Sequence, residues 1–268
     1  MALQRIQLGR TGLTVSRMGL AGGYGLPAAE IQRAMQRGVN YFWWDAAWKE
    51  EMSPALQSLS ARQRKKVVIA AGSDQRDASG MRRALEKSLA DLGVDYFDLF
   101  IAYYIDSEEQ LRELLSPRGG VKALRQAQEE GLVRFLAFTA HHRPLAAKIA
   151  ETNEFDVAIV RYNAAHRGGE TEMFPAFQRV GCGVSIYTPL RWGELLKAPR
   201  RWKGNTPQPH EFYRFALEHP AVHTVWTAPR TGEQLDENLR AVAEGFHLSP
   251  QRLEELRAYG QLFREEMA

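Results

Sequence analysis

Residues 67–103 read VVIAAGSDQRDASGMRRALEKSLADLGVDYFDLFIAY, and this stretch decides the fold. Residues 67–71 are an unbroken apolar run, the pattern of a strand buried on both faces. Residues 78–92 carry helical periodicity and stop at Gly93, and residues 96–103 form a second strand. A strand, a helix and a strand in close succession make one parallel crossover unit.

The unit recurs in both directions. Toward the N-terminus, residues 18–20 and 39–44 read as strands, and 27–37 and 52–59 as helices. A small hairpin, 6–8 and 14–16 around Gly12, precedes them. Toward the C-terminus, strands at 133–138, 157–161, 183–187 and 224–227 follow. Helices are expected at 107–115, 121–130, 144–151, 170–180, 209–218 and 232–244. A last helix runs from the N-cap Ser249 to about residue 265. Eight strand–helix units in 268 residues is the arithmetic of a (β/α)8 TIM barrel. The rival is a doubly wound open sheet, which usually has fewer units and often a glycine-rich turn after its first strand. Here Gly23-Tyr24-Gly25 is followed by Ala28, out of register for G-x-G-x-x-G. No linker or charge run divides the chain, so residues 1–268 are expected to form a single α/β barrel domain with an N-terminal hairpin and a C-terminal helix.

Composition narrows the function classes. The chain is 44% apolar and 25% charged, which is ordinary for a globular protein. Its one cysteine, Cys182, excludes an intramolecular disulfide and suits a reducing cytoplasm. Flanked by glycines before a strand, Cys182 reads as packing. The excess of 35 basic over 32 acidic residues is spread along the chain and leaves no footprint for nucleic acid. No stretch nears the ~18 apolar residues of a membrane span. Residues 1–9 carry Gln4, Arg5 and Gln7 where a leader would be apolar. A small molecule is the expected partner, rather than nucleic acid or a membrane; the oligomeric state is left open.

A barrel carries its site at the C-terminal ends of its strands. Those ends hold Asp45, Trp48, Lys49 and Glu50; Gly72, Ser73 and Asp74; Tyr103, Tyr104 and Asp106; Thr139, His141 and His142; Asn163 and His166; Thr188 and Arg191; and residues 228–231. Asp45 and Glu50 close together would raise one carboxyl pKa toward a general acid, or Glu50 faces solvent. Tyr103 is either a relocated phenol or aromatic wall. His141 is a candidate acid/base. With His142, His166 and Asp45 it makes a conceivable metal set, but no spacing is specific and no metal is expected. Arg161 alternates to the same side as Ile159. It would bind a carboxylate or phosphate bidentately, or pair with Asp45 or Glu50. Of Trp43 and Trp44, one packs between barrel and helices and the other lines the pocket.

Several segments together resemble the aldo-keto reductases. They are Leu8-Gly9-Arg10-Thr11-Gly12-Leu13-Thr14-Val15-Ser16; Gly38-Val39-Asn40-Tyr41-Phe42 leading to Asp45; and Ser88-Leu89 through Gly93-Val94-Asp95-Tyr96-Phe97-Asp98-Leu99. Tyr162-Asn163, Gly183-Val184, Tyr187-Thr188-Pro189-Leu190, Gly193, Leu195, Glu233-Gln234-Leu235 and Glu237-Asn238-Leu239 follow in order. The resemblance implies a (β/α)8 barrel that binds NADP(H) across the strand ends and reduces carbonyls. It also implies a tetrad of Asp, Tyr, Lys and His, in which Tyr gives the proton and Lys lowers its pKa. Asp45 matches. Glu50 stands at the Tyr position with Lys49 one step away, Gly72 at the Lys position and Tyr103 at the His position. In the nicotinamide pocket, the family's Ser-Asn and Gln align with Thr139-Ala140 and Ile159, and Ile159 cannot hydrogen-bond an amide. The other end matches better: Tyr187, Leu190 and Gly193 in the pyrophosphate loop, Arg230 at the 2′-phosphate, and Gln234, Glu237 and Asn238 on the adenine side.

The expectation is an NADP(H)-linked oxidoreductase acting on a small carbonyl or alcohol. Its unusual proton chemistry would fall to Asp45, Glu50, Tyr103 and His141. Thr139 and Asn163 join the cofactor set, and Trp48, Arg161 and His166 the substrate set. The alternatives are a barrel enzyme of non-redox proton transfer, a lyase or isomerase, and an inactive nucleotide-binding sensor.

Overall fold

Each barrel strand buries two faces, and the two faces feed different cores. The computed structural model describes residues 3–267, apart from the side chains of 48–50. The hairpin strands β1 (Arg5–Gln7) and β2 (Thr14–Ser16) pair antiparallel. The strands β3 (Met18–Ala21), β4 (Tyr41–Trp43), β5 (Val68–Ser73), β6 (Phe97–Ala102), β7 (Val133–Ala140), β8 (Val157–Arg161), β9 (Gly183–Tyr187) and β10 (Thr224–Thr227) run parallel in chain order. They close where β10 meets β3. Tyr41, Ala70, Leu99, Ile101, Ala137, Val157, Ile159 and Trp226 fill the barrel interior. Leu8, Leu13 and Val15 of the hairpin join that cluster, so the hairpin plugs one end. The alternate residues, among them Phe42, Ile69, Phe100, Phe138, Val160 and Ile186, pack outward with the helical residues Leu85, Leu124, Ile149 and Phe215. This double burial is why the strands read as unbroken apolar runs.

Local signals set most helix ends. Asp77 caps Ala78–Leu92 by accepting from the Gly80 N–H at 2.9 Å, and Gly93 ends it in the left-handed region. The helix expected at 52–59 instead spans Lys49–Gln57, and Ser60 starts a further turn, Ala61–Arg64. The helix expected at 170–180 is two pieces, Gly169–Glu172 and Phe174–Arg179, because Pro175 near the second start has no N–H to continue the ladder. The helix from Gly232 ends at Leu239, and a 3-10 turn, Arg240–Val242, leads to a bridge between Ala243 and Leu3. The last helix, Pro250–Met267, buries Leu256, Tyr259 and Phe263. The Tyr259 hydroxyl donates to the Leu195 carbonyl at 2.8 Å and ties this helix to the segment after β9. Among the described residues, no helix is long and apolar enough to cross a membrane.

Candidate active site

The inward alternation that fills the barrel continues to its open mouth. On β6, Leu99 and Ile101 lead to Tyr103; on β7, Ala137 leads to Thr139 and then His141; on β8, Ile159 leads to Arg161. Trp43, Tyr103, Thr139, His141, Tyr187 and Trp226 line a cleft of about 850 Å³. Its wall continues through Thr188, Leu190, Trp192 and Gly193 to Arg230, Gln234 and Asn238. The floor is aromatic: ring centroids lie 4.1 Å apart for Tyr41–Trp226, 5.6 Å for Trp226–Trp43 and 6.0 Å for Trp43–Tyr103. Trp44, one residue on, is fully buried against Phe97 and donates to the Ser53 hydroxyl at 2.8 Å. The two tryptophans therefore divide as strand alternation predicts.

Tyr103 is 8% exposed, and its hydroxyl is held on two sides. It donates to Asp45 Oδ2 at 3.0 Å and accepts from Trp43 Nε1 at 2.8 Å. Asp45 uses its other oxygen to accept from the Ala47 N–H at 2.8 Å. Burial, then the Asp45 charge, push the phenol well above its ordinary pKa, while the Trp43 N–H opposes them. Glycine at 72 permits this packing. A Cβ there would lie 2.5 Å from the Ile101 carbonyl oxygen and 2.7 Å from Tyr103 Cζ. A lysine at 72, like any side chain there, would collide with Ile101 as well as with the phenol ring. Gly19 repeats the device, since a Cβ there would lie 2.5 Å from the Trp226 ring.

Beyond Tyr103 the chain turns sharply. Tyr104 has φ +54°, its N–H donates to Thr139 Oγ1 at 2.7 Å, and the carbonyls of Tyr103 and Tyr104 accept from Arg76 Nη2 at 2.7 and 2.8 Å. The turn stacks the Tyr104 ring on His141, 5.6 Å between centroids and 5° between planes. Asp106 accepts from the His141 backbone N–H at 2.7 Å and holds its Nδ1 at 2.8 Å. His141 is therefore oriented although its side chain is 45% exposed. Thr188, Arg191 and Trp192 also have positive φ, so four of the five such non-glycine residues described lie at the cleft or its rim. Each strained position costs about 1–3 kcal/mol, which the surrounding contacts must offset.

The far end of the cleft is built around two loops. Asn163, fully buried, donates to the Thr188 carbonyl at 3.0 Å and so braces the first loop without lining the cleft. Thr188 Oγ1 is buried with no partner. In the second loop, the Arg230 N–H donates to Gln234 Oε1 at 2.8 Å, and Thr231 caps the helix Gly232–Leu239. Asn238 donates to Thr227 Oγ1 at 2.8 Å. Glu237 is held by His210 at 2.5 Å and by Arg240 at 3.0 Å, outside the cleft lining.

Among the residues singled out from the sequence, Asp45 and Tyr103 come together, and Thr139, His141, Tyr187, Leu190, Gly193, Arg230, Gln234 and Asn238 share one cleft. Arg161 and His166 stand beside it. The side chains of Trp48 and Glu50 lie outside the described residues. Arg161 makes no described ion pair with Asp45. Among the described residues, no three His, Cys, Asp or Glu side chains are grouped to hold a metal. Sequence reading gave no role to Arg76, Trp192, Tyr213 or Trp226; only an arginine beside a strand end and a tryptophan in phase with the barrel interior hinted at two of them.

The aldo/keto reductase family model matches residues 27–212. A probable aldo-keto reductase 1 of Glycine max is 24% identical over 71% of this chain and 60% of its own length, so the chain spans less than two thirds of that relative. The uncharacterized oxidoreductase YrpG of Bacillus subtilis is 27% identical over 70% of this chain and 67% of its own. The holo form of aldo-keto reductase AKR11C1 from Bacillus halodurans superposes with a TM-score of 0.77 at 19% identity, covering 96% of both chains. The aldo-keto reductase PA4992 from Pseudomonas, described as putative, superposes with a TM-score of 0.71 over 90% of this chain and 94% of that one, at 19% identity.

Proposed function

Because the chain belongs to the aldo/keto reductase family, a family of oxidoreductases, we propose that it is an NADP(H)-linked oxidoreductase acting on a small carbonyl or alcohol, with the His141–Asp106 pair as its proton source. One observation carries this reading. The oriented imidazole and the aromatic floor share a single cleft with Arg230, Gln234 and Asn238.

The far end of the cleft suits a dinucleotide. The buried, unpartnered Thr188 hydroxyl and the exposed Arg230, whose guanidinium has no described partner, are donors left for phosphate oxygens. Residues 188–193 would hold the pyrophosphate, Arg230 the 2′-phosphate, and Gln234 and Asn238 the adenine side. Bound there, the cofactor supplies a hydride.

The protein must supply the proton at the carbonyl oxygen. Tyr103 is a poor acid, because ionising it would set a second negative charge beside Asp45 with only the Trp43 N–H in support. It serves instead, with Asp45, as a fixed hydrogen-bonding wall. His141 has its Nδ1 committed to Asp106, which leaves Nε2 as the ring atom that would pass a proton to the carbonyl oxygen. The tryptophans of the floor keep water from the reacting face.

A second reading, nucleotide binding without turnover, is favoured by the Tyr103 ring filling the space over Gly72. Following NADPH oxidation over a panel of carbonyls separates the two. Turnover that falls on His141→Ala supports the proposal. Tight NADPH binding with no oxidation supports the second reading, and absence of binding to NADPH and NADH overturns both.

A further inference from the structure

Arg161 and Tyr187 are register partners at the ends of β8 and β9. Both follow the inward alternation of their strands. The Tyr187 ring lines the cleft, and its hydroxyl is buried with no partner. Arg161 is half-buried, and its side chain has no hydrogen bond or ion pair among the described residues.

The neighbourhood is cationic. Arg161, Arg191, Arg264 and Arg143 surround His166, whose Nδ1 lies 3.3 Å from Asn163 Oδ1. Burial and these four charges hold that imidazole down to about 4, so it is neutral at pH 7. Two of the arginines are balanced: Arg143 by Glu172 at 2.9 Å and Arg191 by Glu194 at 3.1 Å. Arg143 still leaves its Nε buried and unpartnered. Arg161 and Arg264 have no carboxylate among the described residues. A half-desolvated guanidinium without a counter-charge is unfavourable, and so is a buried hydroxyl without an acceptor. One anion beside Arg161 and Tyr187 relieves both.

We propose that Arg161 and the Tyr187 hydroxyl form an anion subsite beside the cleft floor, which selects substrates carrying a carboxylate or phosphate near the reacting carbonyl, as in a short oxo acid. The selection of substrate rests on the oxidoreductase reading; the anion subsite itself does not. The shared chemistry admits two sources of the anion, the substrate or a phosphate of the dinucleotide.

The test measures calorimetric binding of pyruvate and 4-oxobutanoate, and NADPH-linked turnover of these acids against matched neutral aldehydes. Wild type, Arg161→Ala, Arg161→Lys and Tyr187→Phe are compared, with folding checked by circular dichroism. Oxo-acid affinity is expected to fall at least about tenfold in Arg161→Ala, to recover partly in Arg161→Lys and to fall less in Tyr187→Phe. The preference for acid over neutral aldehyde falls in parallel. Absence of oxo-acid binding to wild type overturns the proposal, as does equal loss for acids and neutral aldehydes. Loss of NADPH affinity instead assigns the group to the dinucleotide and also overturns it. If no carbonyl is reduced while oxo acids still bind through Arg161, the subsite stands and the oxidoreductase reading falls.

Discussion

The two ends of the cleft are built on different principles. At the far end, loop backbone and a few side chains make the site: Asn163 braces the Thr188 carbonyl, Thr231 caps a helix, and Arg230 stands free at the rim. The phosphate site proposed there would depend on the course of the chain more than on any one side chain. At the carbonyl end, chemistry depends on side chains meeting at one point. There Tyr103 fills the volume over Gly72 and engages Asp45, while His141, the proposed proton source, sits at the end of the next strand. On the proposed function, the barrel would keep a dinucleotide cradle while its proton relay is rebuilt.

Mutations should separate the two ends. The largest effect is expected for His141→Ala, which should lower kcat/KM for carbonyl reduction about 10²–10⁴-fold and leave NADPH affinity close to wild type. Equal losses in both would merge the two ends into one site. Next, Gly72→Ala should destabilise the fold by about 1–3 kcal/mol in urea denaturation, because the added methyl meets the Ile101 carbonyl and the Tyr103 ring. In a Tyr103→Ala background the same change should cost less, since one of its two obstacles is gone. Arg230→Ala should weaken NADPH about tenfold, or about 1.4 kcal/mol, and NADH far less.

The smallest effect concerns pH. Burial pushes the Tyr187, Tyr213 and Tyr259 phenols up to about 12, and it raises Tyr103 as well. An unfolded tyrosine ionises near pH ~10. Between about pH 10 and pH 12 the unfolded chain has released protons that the folded chain keeps, so stability falls as pH rises through that window. Below it these phenols add no slope. Urea midpoints at pH 9 and pH 11 should show the fall, and Tyr103→Phe should make it shallower.

The strands were legible because burial on both faces writes an unbroken apolar run, and residues 157–161, 183–187 and 224–227 are strands with the expected bounds. The divided roles of Trp43 and Trp44 followed from alternation alone. The helix expected at 170–180 is divided because a single proline restarts the ladder within it. In the candidate site, the family resemblance pointed to Asp45, Tyr187 and Arg230, but contacts across strands left no local trace. Gly19 makes room for Trp226 because parallel register sets them side by side, and Gly72 makes room for Tyr103 because its register partner is Ile101, two residues before Tyr103 on the same face. Asp106 and His141 are 35 positions apart and meet only at the mouth of the barrel. Arg76, which clamps the strained turn at Tyr104, carries no motif at all.

The contrast between the two ends is tested most directly by calorimetric titration of the protein with NADPH and with adenosine 2′,5′-bisphosphate, the fragment that reaches only the far end. If the far end supplies most of the binding, the fragment binds within about tenfold of NADPH, a difference of about 1.4 kcal/mol or less. A fragment that fails to bind while NADPH binds tightly would place the affinity at the rebuilt carbonyl end and contradict the account.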